Sequence, residues 1–272
     1  MRYLLSVVIW LTTSLSAATV DGMKIHSSTS GQGPGALILV HGYSCDETTW
    51  SEQLPALAKE YRVVTLDLPG HGKSDSPKDG RFSMDLFARA VEAVRVEIKA
   101  DRVILAGHSM GTPVILRYAH LFPQHTSALV FVDGLMPLSP ERAAALANSG
   151  NAMGGLNGRA AREALVRRFF VAGTPAAVQT KVLNMMLAAP EATAVGALNG
   201  TIEDAGQTTD VPAVPILGIY ADPSPAASAQ VVHAAFPTAE YTQIRDTGHF
   251  LMLEKPDEFN RILLDFLGKQ KY

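Results

Sequence analysis

The chain has 272 residues, of which 47% are hydrophobic and 18% are charged, and its formal net charge is −3. This length fits one large α/β domain or two small ones, and the apolar content is sufficient for a sizeable core. No run of Lys or Arg stands out, so we expect neither a nucleic acid nor an anionic membrane surface as a partner.

The first 18 residues differ from the rest of the chain. Arg2 precedes a short apolar stretch, "YLLSVVIWL", and the small residues of "SLSAA" follow it. This order is typical of a secretory signal peptide cleaved after Ala18, so we expect a secreted or periplasmic protein with no stable membrane insertion after cleavage. The alternative is an uncleaved membrane anchor, although the apolar stretch is short for a bilayer-spanning helix.

Buried strands and amphipathic helices alternate in the next part of the chain. Continuous apolar runs at residues 36–42 and 61–68, and in "RVILAG" and "SALVFVDG", are typical of strands that are buried on both faces of a parallel sheet. Helical spacing separates them and is clearest at residues 83–100, where Ser83 is a plausible N-cap. The alternation predicts an α/β fold with a mostly parallel, doubly wound sheet.

The alternation breaks at residues 137–210, which contain helical pieces but no convincing buried strand. The strand pattern resumes at residues 214–222 and 239–246, and a helix ends the chain. We therefore expect a core formed by residues 19–136 and 211–272, with a helical cap at 137–210 inserted between two strands. The alternative is a set of ordinary crossover helices that have grown long. The Met and Phe side chains of the cap either line an acyl pocket or pack the cap against the main domain.

The motif "GHSMG" at residues 107–111 lies between a predicted buried strand and a predicted helix. Gly107 and Gly111 lack a Cβ, so the strand and the helix can close around Ser109 and leave its hydroxyl clear of the sheet. A serine hydroxyl is a weak nucleophile that needs a base, and the base needs an orienting acid. The chain offers these groups in the order Ser109, Asp222 and His249, and the last two each follow a predicted strand.

These motifs resemble those of the α/β-hydrolase family, in its capped, esterase-like branch. The matching residues are "HGYS", "LDLPGHGKSD", "GHSMG", "GIYADPSP" and "DTGHFLMLEKPDEF". The resemblance implies Ser109 as the nucleophile, His249 as general base and acid, and Asp222 as the orienting carboxylate. It also implies an oxyanion hole formed by the backbone N–H groups of Tyr43 and Met110.

A second aspartate competes with Asp222 for the role of the acid. Asp133, in "FVDG", also follows a buried strand at the same edge, and some members of the family take their acid from that position. Asp222 is preferred because the order strand, Asp, loop, strand, His is the commoner arrangement.

The expected function is a serine hydrolase that cleaves small to medium carboxylic esters or lactones through an acyl-enzyme. The alternatives are a hydrolase of another bond on the same triad (a carbon–carbon hydrolase, an amidase or an aminopeptidase) or a non-catalytic binding protein on the hydrolase fold. We expect no cofactor and no metal ion, because the chain has neither a dinucleotide-binding glycine pattern nor a His or Cys cluster with metal-ligand spacing. The lone Cys45 cannot form an internal disulfide, and we expect it to be a small buried or minor pocket residue.

Overall fold

The computed structural model describes residues 18–33, 35–134, 144, 147, 152–203, 210, 213–224 and 227–270. The strands in this part of the chain are β1 Thr19–Val20, β2 Met23–Lys24, β3 Ser27–Ser30, β4 Ala36–Val40, β5 Arg62–Leu66, β6 Val103–His108, β7 Thr126–Val132, β8 Ile216–Asp222 and β9 Glu240–Arg245. The helices are α1 Leu54–Leu57, α2 Met84–Glu97, α3 Gly111–Leu121, α4 Gly158–Arg167, α5 Ala176–Ala188, α6 Glu191–Glu203, α7 Ala229–Ala235, α8 Leu251–Glu254 and α9 Pro256–Leu267. Short 3-10 turns lie at Glu47–Trp50 and Pro123–His125.

One sheet contains strands β3 to β9 in the spatial order β3-β5-β4-β6-β7-β8-β9. The strand pairs from β5 to β9 are parallel, and β3 pairs with β5 in antiparallel fashion at one edge. Because β5 and β6 lie on opposite sides of β4, the direction of winding reverses there. Such a reversal opens a crevice beyond the carboxyl ends of the strands. The prediction of a mostly parallel, doubly wound sheet is confirmed.

The central strands β4, β6 and β7 are buried along their whole length. Successive side chains point to opposite faces, so Ile38 and Val40 pack in the cluster that includes α2 and α3, while Leu37 and Leu39 pack in the cluster that includes α9. The Ser83 hydroxyl accepts a hydrogen bond from the N–H of Leu86 at 3.1 Å and begins α2, as its predicted cap role requires. With both faces covered, the strand ends are left for polar chemistry.

Between β7 and β8 the described residues form three helices, α4 to α6, and no strand. The predicted cap at 137–210 begins outside the described residues, and residues 204–209 near its end also lie outside them. Two contacts place the described part above the carboxyl ends of the strands. The Thr49 hydroxyl, beyond β4, donates to the sulfur of Met185 at 3.3 Å, and the Thr193 hydroxyl donates to the carbonyl of Gly70, beyond β5, at 2.9 Å.

The amino-terminal part of the described chain packs against the core. The β1–β2 hairpin contributes Val20 and Met23 to the cluster that includes α2, and Ala18 before it is also buried. The predicted signal peptide lies outside the described residues except for Ala18. None of the helices among the described residues combines the length and the apolar character needed to cross a bilayer.

Gly111 tests how closely α3 approaches the sheet. A Cβ at this position would lie 2.5 Å from the carbonyl oxygen of Val40 and 2.9 Å from that of His41, and backbone atoms cannot rotate away. We expect Gly111→Ala to lower the free energy of unfolding by about 1–3 kcal/mol, measured by urea denaturation, because the added methyl overpacks the β4–α3 contact. Gly173→Ala is the matched control, since the nearest atom to its Cβ would be 4.0 Å away. Equal losses in the two variants would contradict this account.

Candidate active site

Ser109 lies on a tight bend between β6 and α3. Its φ is +52°, a left-handed conformation that costs a non-glycine residue energy, and it is 7% exposed. Its N–H donates to the carbonyl of Val132 at 3.0 Å, which ties the bend to the end of β7. A Cβ on Gly107 would lie 2.3 Å from the carbonyl oxygen of Gly111, so the approach of strand and helix requires glycine, as the motif predicts.

His249 lies in the loop between β9 and α8, and its backbone is held on both sides. The His249 N–H donates to the carbonyl of Phe169 at 2.9 Å, and the N–H of Gly248 donates to both carboxylate oxygens of Glu254 at 3.0 and 3.1 Å. The ring centroid of Phe169 lies 4.5 Å from that of His249. The segment that follows α4 therefore contacts both the backbone and the ring of this histidine.

The carboxylate that binds His249 is that of Asp133. His249 Nδ1 lies 2.6 Å from Asp133 Oδ2, and both side chains are buried. Asp133 is the first residue after β7, its φ is +40°, and its N–H donates to the carbonyl of Ile219 at 2.8 Å. The left-handed backbone turns this side chain out of the line of the strand and towards the histidine.

The preference for Asp222 over Asp133 as the partner of His249 is therefore wrong on this contact. Asp222 is the last residue of β8 and lies in register with Arg245 of β9, with a partly exposed side chain. This part of the chain does not supply the acid that binds His249, but it supplies hydrogen-bond donors to that acid. The N–H of Ala221 and the hydroxyl of Ser224 both bond to Asp133 Oδ1, at 3.1 and 2.6 Å.

The charge on Asp133 is stabilised by these bonds although the residue is fully buried. Burial is the largest influence on the pKa of Asp133 and acts to raise it. The bond and charge of His249, with the bonds from Ser224 and Ala221, outweigh burial, so the pKa lies below its ordinary value. A carboxylate ionised at neutral pH is able to orient an imidazole and to stabilise it when it gains a proton.

His108, inside the serine motif, joins the bend to the histidine loop. Its Nε2 lies 2.9 Å from the carbonyl oxygen of His249, and since a carbonyl only accepts, this nitrogen bears the hydrogen. Nδ1 is then a buried acceptor without a partner among the described residues. Burial lowers the pKa of His108 to about 3, so the ring is neutral in the folded protein.

The peptide between Gly42 and Tyr43 is held through its carbonyl oxygen. His41 Nδ1–H donates to the Gly42 oxygen at 2.8 Å, and the N–H of Cys45 donates to it at 3.2 Å. In a trans peptide the N–H points away from the C=O, so these bonds also set the direction of the Tyr43 N–H. A Cβ on Gly42 would lie 3.1 Å from the Cβ of Ser109, which shows how closely this loop approaches the bend.

The N–H groups that were expected to form an oxyanion hole are those of Tyr43 and Met110. Neither of them donates a backbone hydrogen bond to another described residue. Met110 is fully buried and stands at the start of α3, where the helix dipole is positive.

Two further groups of side chains lie near the site. Cys45 is buried, its thiol donates to the carbonyl of Tyr43, and burial raises the pKa of that thiol, so it is not a reactive thiolate.

Ligand atoms of His26, Glu47 and Asp67 lie within 4.8 Å of one another. The ammonium of Lys73 lies 2.9 Å from the Glu47 carboxylate, so this cluster is an ion-pair network around a lysine.

Three contacts of the site were not predicted from the sequence. They are the contact of the Phe169 ring with the His249 ring, the bond from Ser224 to Asp133, and the bonds of Glu254 to the histidine loop. In the sequence, Phe169 cannot be distinguished from an aromatic residue that only packs in the core. The signal for Ser224 was its place two residues after Asp222, at the end of a strand beside the one that Asp133 follows.

The model of the alpha/beta hydrolase family matches residues 37–262. The chain belongs to the alpha/beta hydrolase family. This hydrolase-fold protein therefore combines the observed sheet order with the bend at Ser109 and the buried pair of Asp133 and His249.

Two solved structures are similar to this alpha/beta hydrolase over nearly its whole length. A thermophilic esterase from Thermogutta terrifontis has a TM-score of 0.82 at 23% identity, covering 93% of this chain and 96% of that chain. The enol-lactonase from Burkholderia xenovorans LB400 has a TM-score of 0.79 at 23% identity, covering 92% of this chain and 98% of that chain. At this identity the likeness shows the fold.

Curated relatives are matched over a smaller share of their length. The 2-hydroxy-6-oxononadienedioate/2-hydroxy-6-oxononatrienedioate hydrolase of Escherichia coli K12 is 32% identical over 116 residues, which are 41% of this chain and 40% of that protein. A second curated relative is matched over 35% of its length. The match to this chain therefore covers less than half of the length of either relative.

The buried histidines predict how stability depends on pH. Burial lowers the pKa of His71 and of His108 to about 3, whereas an unfolded histidine titrates near pH 6.5. Between these values the unfolded chain binds protons that the folded chain does not, so the stabilisation is complete above pH 6.5 and is lost as the pH falls towards 3. Each histidine contributes a slope of about 1.4 kcal/mol per pH unit.

Urea denaturation at pH 7.5, 6 and 5 measures this slope. A His71→Asn variant should be less stable at pH 7.5 but should lose less stability than the parent protein between pH 6 and 5, because it lacks one of the buried groups. A free energy of unfolding that stays constant over this range would contradict the assignment.

Proposed function

We propose that the protein is a serine hydrolase that cleaves carboxylic esters or lactones of small to medium size through an acyl-enzyme. The observation that supports this most is the 2.6 Å contact of His249 Nδ1 with the buried carboxylate of Asp133, next to the bend that presents Ser109. Because Nδ1 is engaged, Nε2 is the nitrogen that exchanges protons with the serine.

The proposed reaction begins when Ser109 Oγ attacks the carbonyl carbon and its proton passes to His249 Nε2. The tetrahedral intermediate collapses, the carbon–oxygen bond to the leaving group breaks, and the imidazolium returns the proton to that oxygen. Water then gives a proton to Nε2 and attacks the acyl carbon. Collapse of the second intermediate releases the acid and restores the Ser109 hydroxyl.

The backbone N–H groups of Tyr43 and Met110 are the proposed donors to the oxyanion. Neither donates a backbone hydrogen bond to another described residue, and the direction of the Tyr43 N–H is held through the Gly42 carbonyl. Donors fixed in this way need no reorganisation as charge develops, and each could stabilise the transition state by about 3–4 kcal/mol.

The helical segment between β7 and β8 is proposed to act as a cap that shapes the acyl or alcohol site. Its support is the position of Phe169, whose ring lies 4.5 Å from that of His249. An esterase and an enol-lactonase among the similar structures favour ester or lactone substrates. The proposal requires no partner other than a small-molecule ester. We also propose that the protein is exported, because residues 1–18 have the order of charged, apolar and small residues that is typical of a signal peptide.

A second candidate is hydrolysis of a carbon–carbon bond on the same groups. The observation that favours it is the 32% identity over 116 residues to the Escherichia coli hydrolase whose name specifies 2-hydroxy-6-oxo dienoic and trienoic dicarboxylates. Esters remain the first choice because an esterase and a lactonase are among the solved structures that are similar to the chain over nearly its whole length.

The test is hydrolysis of p-nitrophenyl esters of increasing acyl length, beside a 2-hydroxy-6-oxo-dienoate and an aminoacyl anilide. We expect turnover of short and medium esters, and a loss of at least about a thousandfold in kcat in Ser109→Ala with the fold retained by circular dichroism. Near-normal ester turnover in that variant would exclude the covalent mechanism. Turnover of the dienoate or the anilide without the esters would favour the alternatives.

A second experiment decides the acid. We expect Asp133→Asn to lower kcat on the order of 10³- to 10⁴-fold, because an amide leaves the imidazole in the wrong tautomer. Asp222→Asn should change kcat by no more than about twofold, as for a substitution away from the reacting groups. A larger loss in the Asp222 variant than in the Asp133 variant would reverse the assignment.

A further inference from the structure

The carboxylate of Asp133 is bound on both of its oxygens. Its Oδ2 lies 2.6 Å from Nδ1 of His249. Its Oδ1 accepts a hydrogen bond from the Ser224 hydroxyl at 2.6 Å and another from the Ala221 N–H at 3.1 Å. Asp133 itself is 0% exposed. Its orientation therefore depends on protein groups, and two of the three belong to β8 and the loop after it.

The Ser224 hydroxyl is itself held in place. Its oxygen lies within 3.5 Å of the N–H of Ala227, which donates to it, so the hydroxyl hydrogen is left for Asp133. The carboxylate torsion of an aspartate is broad and roughly twofold, so one bond alone does not fix its plane. A bond to each oxygen does fix it and aims Oδ2 at His249.

We propose that Ser224 is a positioning residue of the catalytic site, which fixes the plane of the Asp133 carboxylate and so holds His249 in its working tautomer. This inference rests on the proposed hydrolase function. The loop after β8, where the sequence order favours an acid, acts here by donating to the acid on the neighbouring strand. A serine that only fastened this loop would affect stability and leave the imidazole unchanged.

The variant that tests the inference is Ser224→Ala, with Ser224→Thr as the conservative rescue because threonine keeps the hydroxyl. Ser228→Ala is the matched control on the same loop, since that hydroxyl accepts from the N–H of Val231 at the start of α7. The readouts are kcat and KM on the best p-nitrophenyl ester, the acid limb of the pH–rate profile, and the low-field ¹H resonance of the proton between His249 and Asp133.

For Ser224→Ala we expect kcat to fall on the order of tenfold, the loss typical of one hydrogen bond to a charged group, with KM unchanged within about twofold. The acid limb should move, because the Ser224 bond lowers the pKa of the Asp133 carboxylate that faces the imidazole. The low-field resonance should move upfield or broaden. Ser224→Thr should restore all three, and Ser228→Ala should lower the melting temperature and change none of them.

Three results would overturn the inference. They are an acid limb that stays in place in Ser224→Ala, an unaltered low-field resonance, and a loss of activity that Ser228→Ala shares. The proposed function is judged separately by Ser109→Ala. If that variant is inactive while Ser224→Ala behaves as the parent protein, the hydrolase stands and the role of Ser224 does not.

Discussion

The bond between Asp133 and His249 is the constraint on which the rest of the site depends. It joins residues 116 positions apart, at the ends of β7 and β9, with β8 between them. A carboxylate that is 0% exposed is costly unless it is paired and fully hydrogen-bonded. The register of three strands and the conformation of two loops must therefore agree before the charge is stabilised. This agreement links the correct packing of the sheet to the proposed chemistry.

Backbone strain collects at the same edge. Ser44, Ser109, Asp133 and Asp246 have φ values from +40° to +54°, and they follow β4, β6, β7 and β9. Such conformations persist only where the surroundings hold them, and strands buried on both faces supply that rigidity. These left-handed turns redirect the chain beside the serine bend or the histidine. The core thus supports this set of strained turns at the carboxyl edge of the sheet.

The sheet and the serine bend were predictable because each has a local signal, whereas the acid was not. Continuous apolar runs identify buried strands, and the spacing of Gly107, Ser109 and Gly111 identifies a strand-to-helix bend. Asp133 and Asp222 both follow buried strands, and chain order cannot say which carboxylate turns towards His249. That depends on the φ of Asp133 and on donors from Ala221 and Ser224. These are tertiary features, as is the contact of the Phe169 ring with that of His249.

The helical segment between β7 and β8 is bonded to different loops through residues 169–174 and through α6, which limits how it can move. The Phe169 carbonyl accepts from the His249 N–H, and the Thr174 hydroxyl donates to Glu254, which also holds Gly248. Thr193, on α6, donates instead to Gly70 beyond β5. Lifting the segment as one rigid body would break all of these bonds, at about 1 kcal/mol net for each, and would shift the imidazole. Movement that admits a substrate while residues 169–174 stay with His249 would keep the proposed base in place, so this stretch is part of the proposed catalytic core.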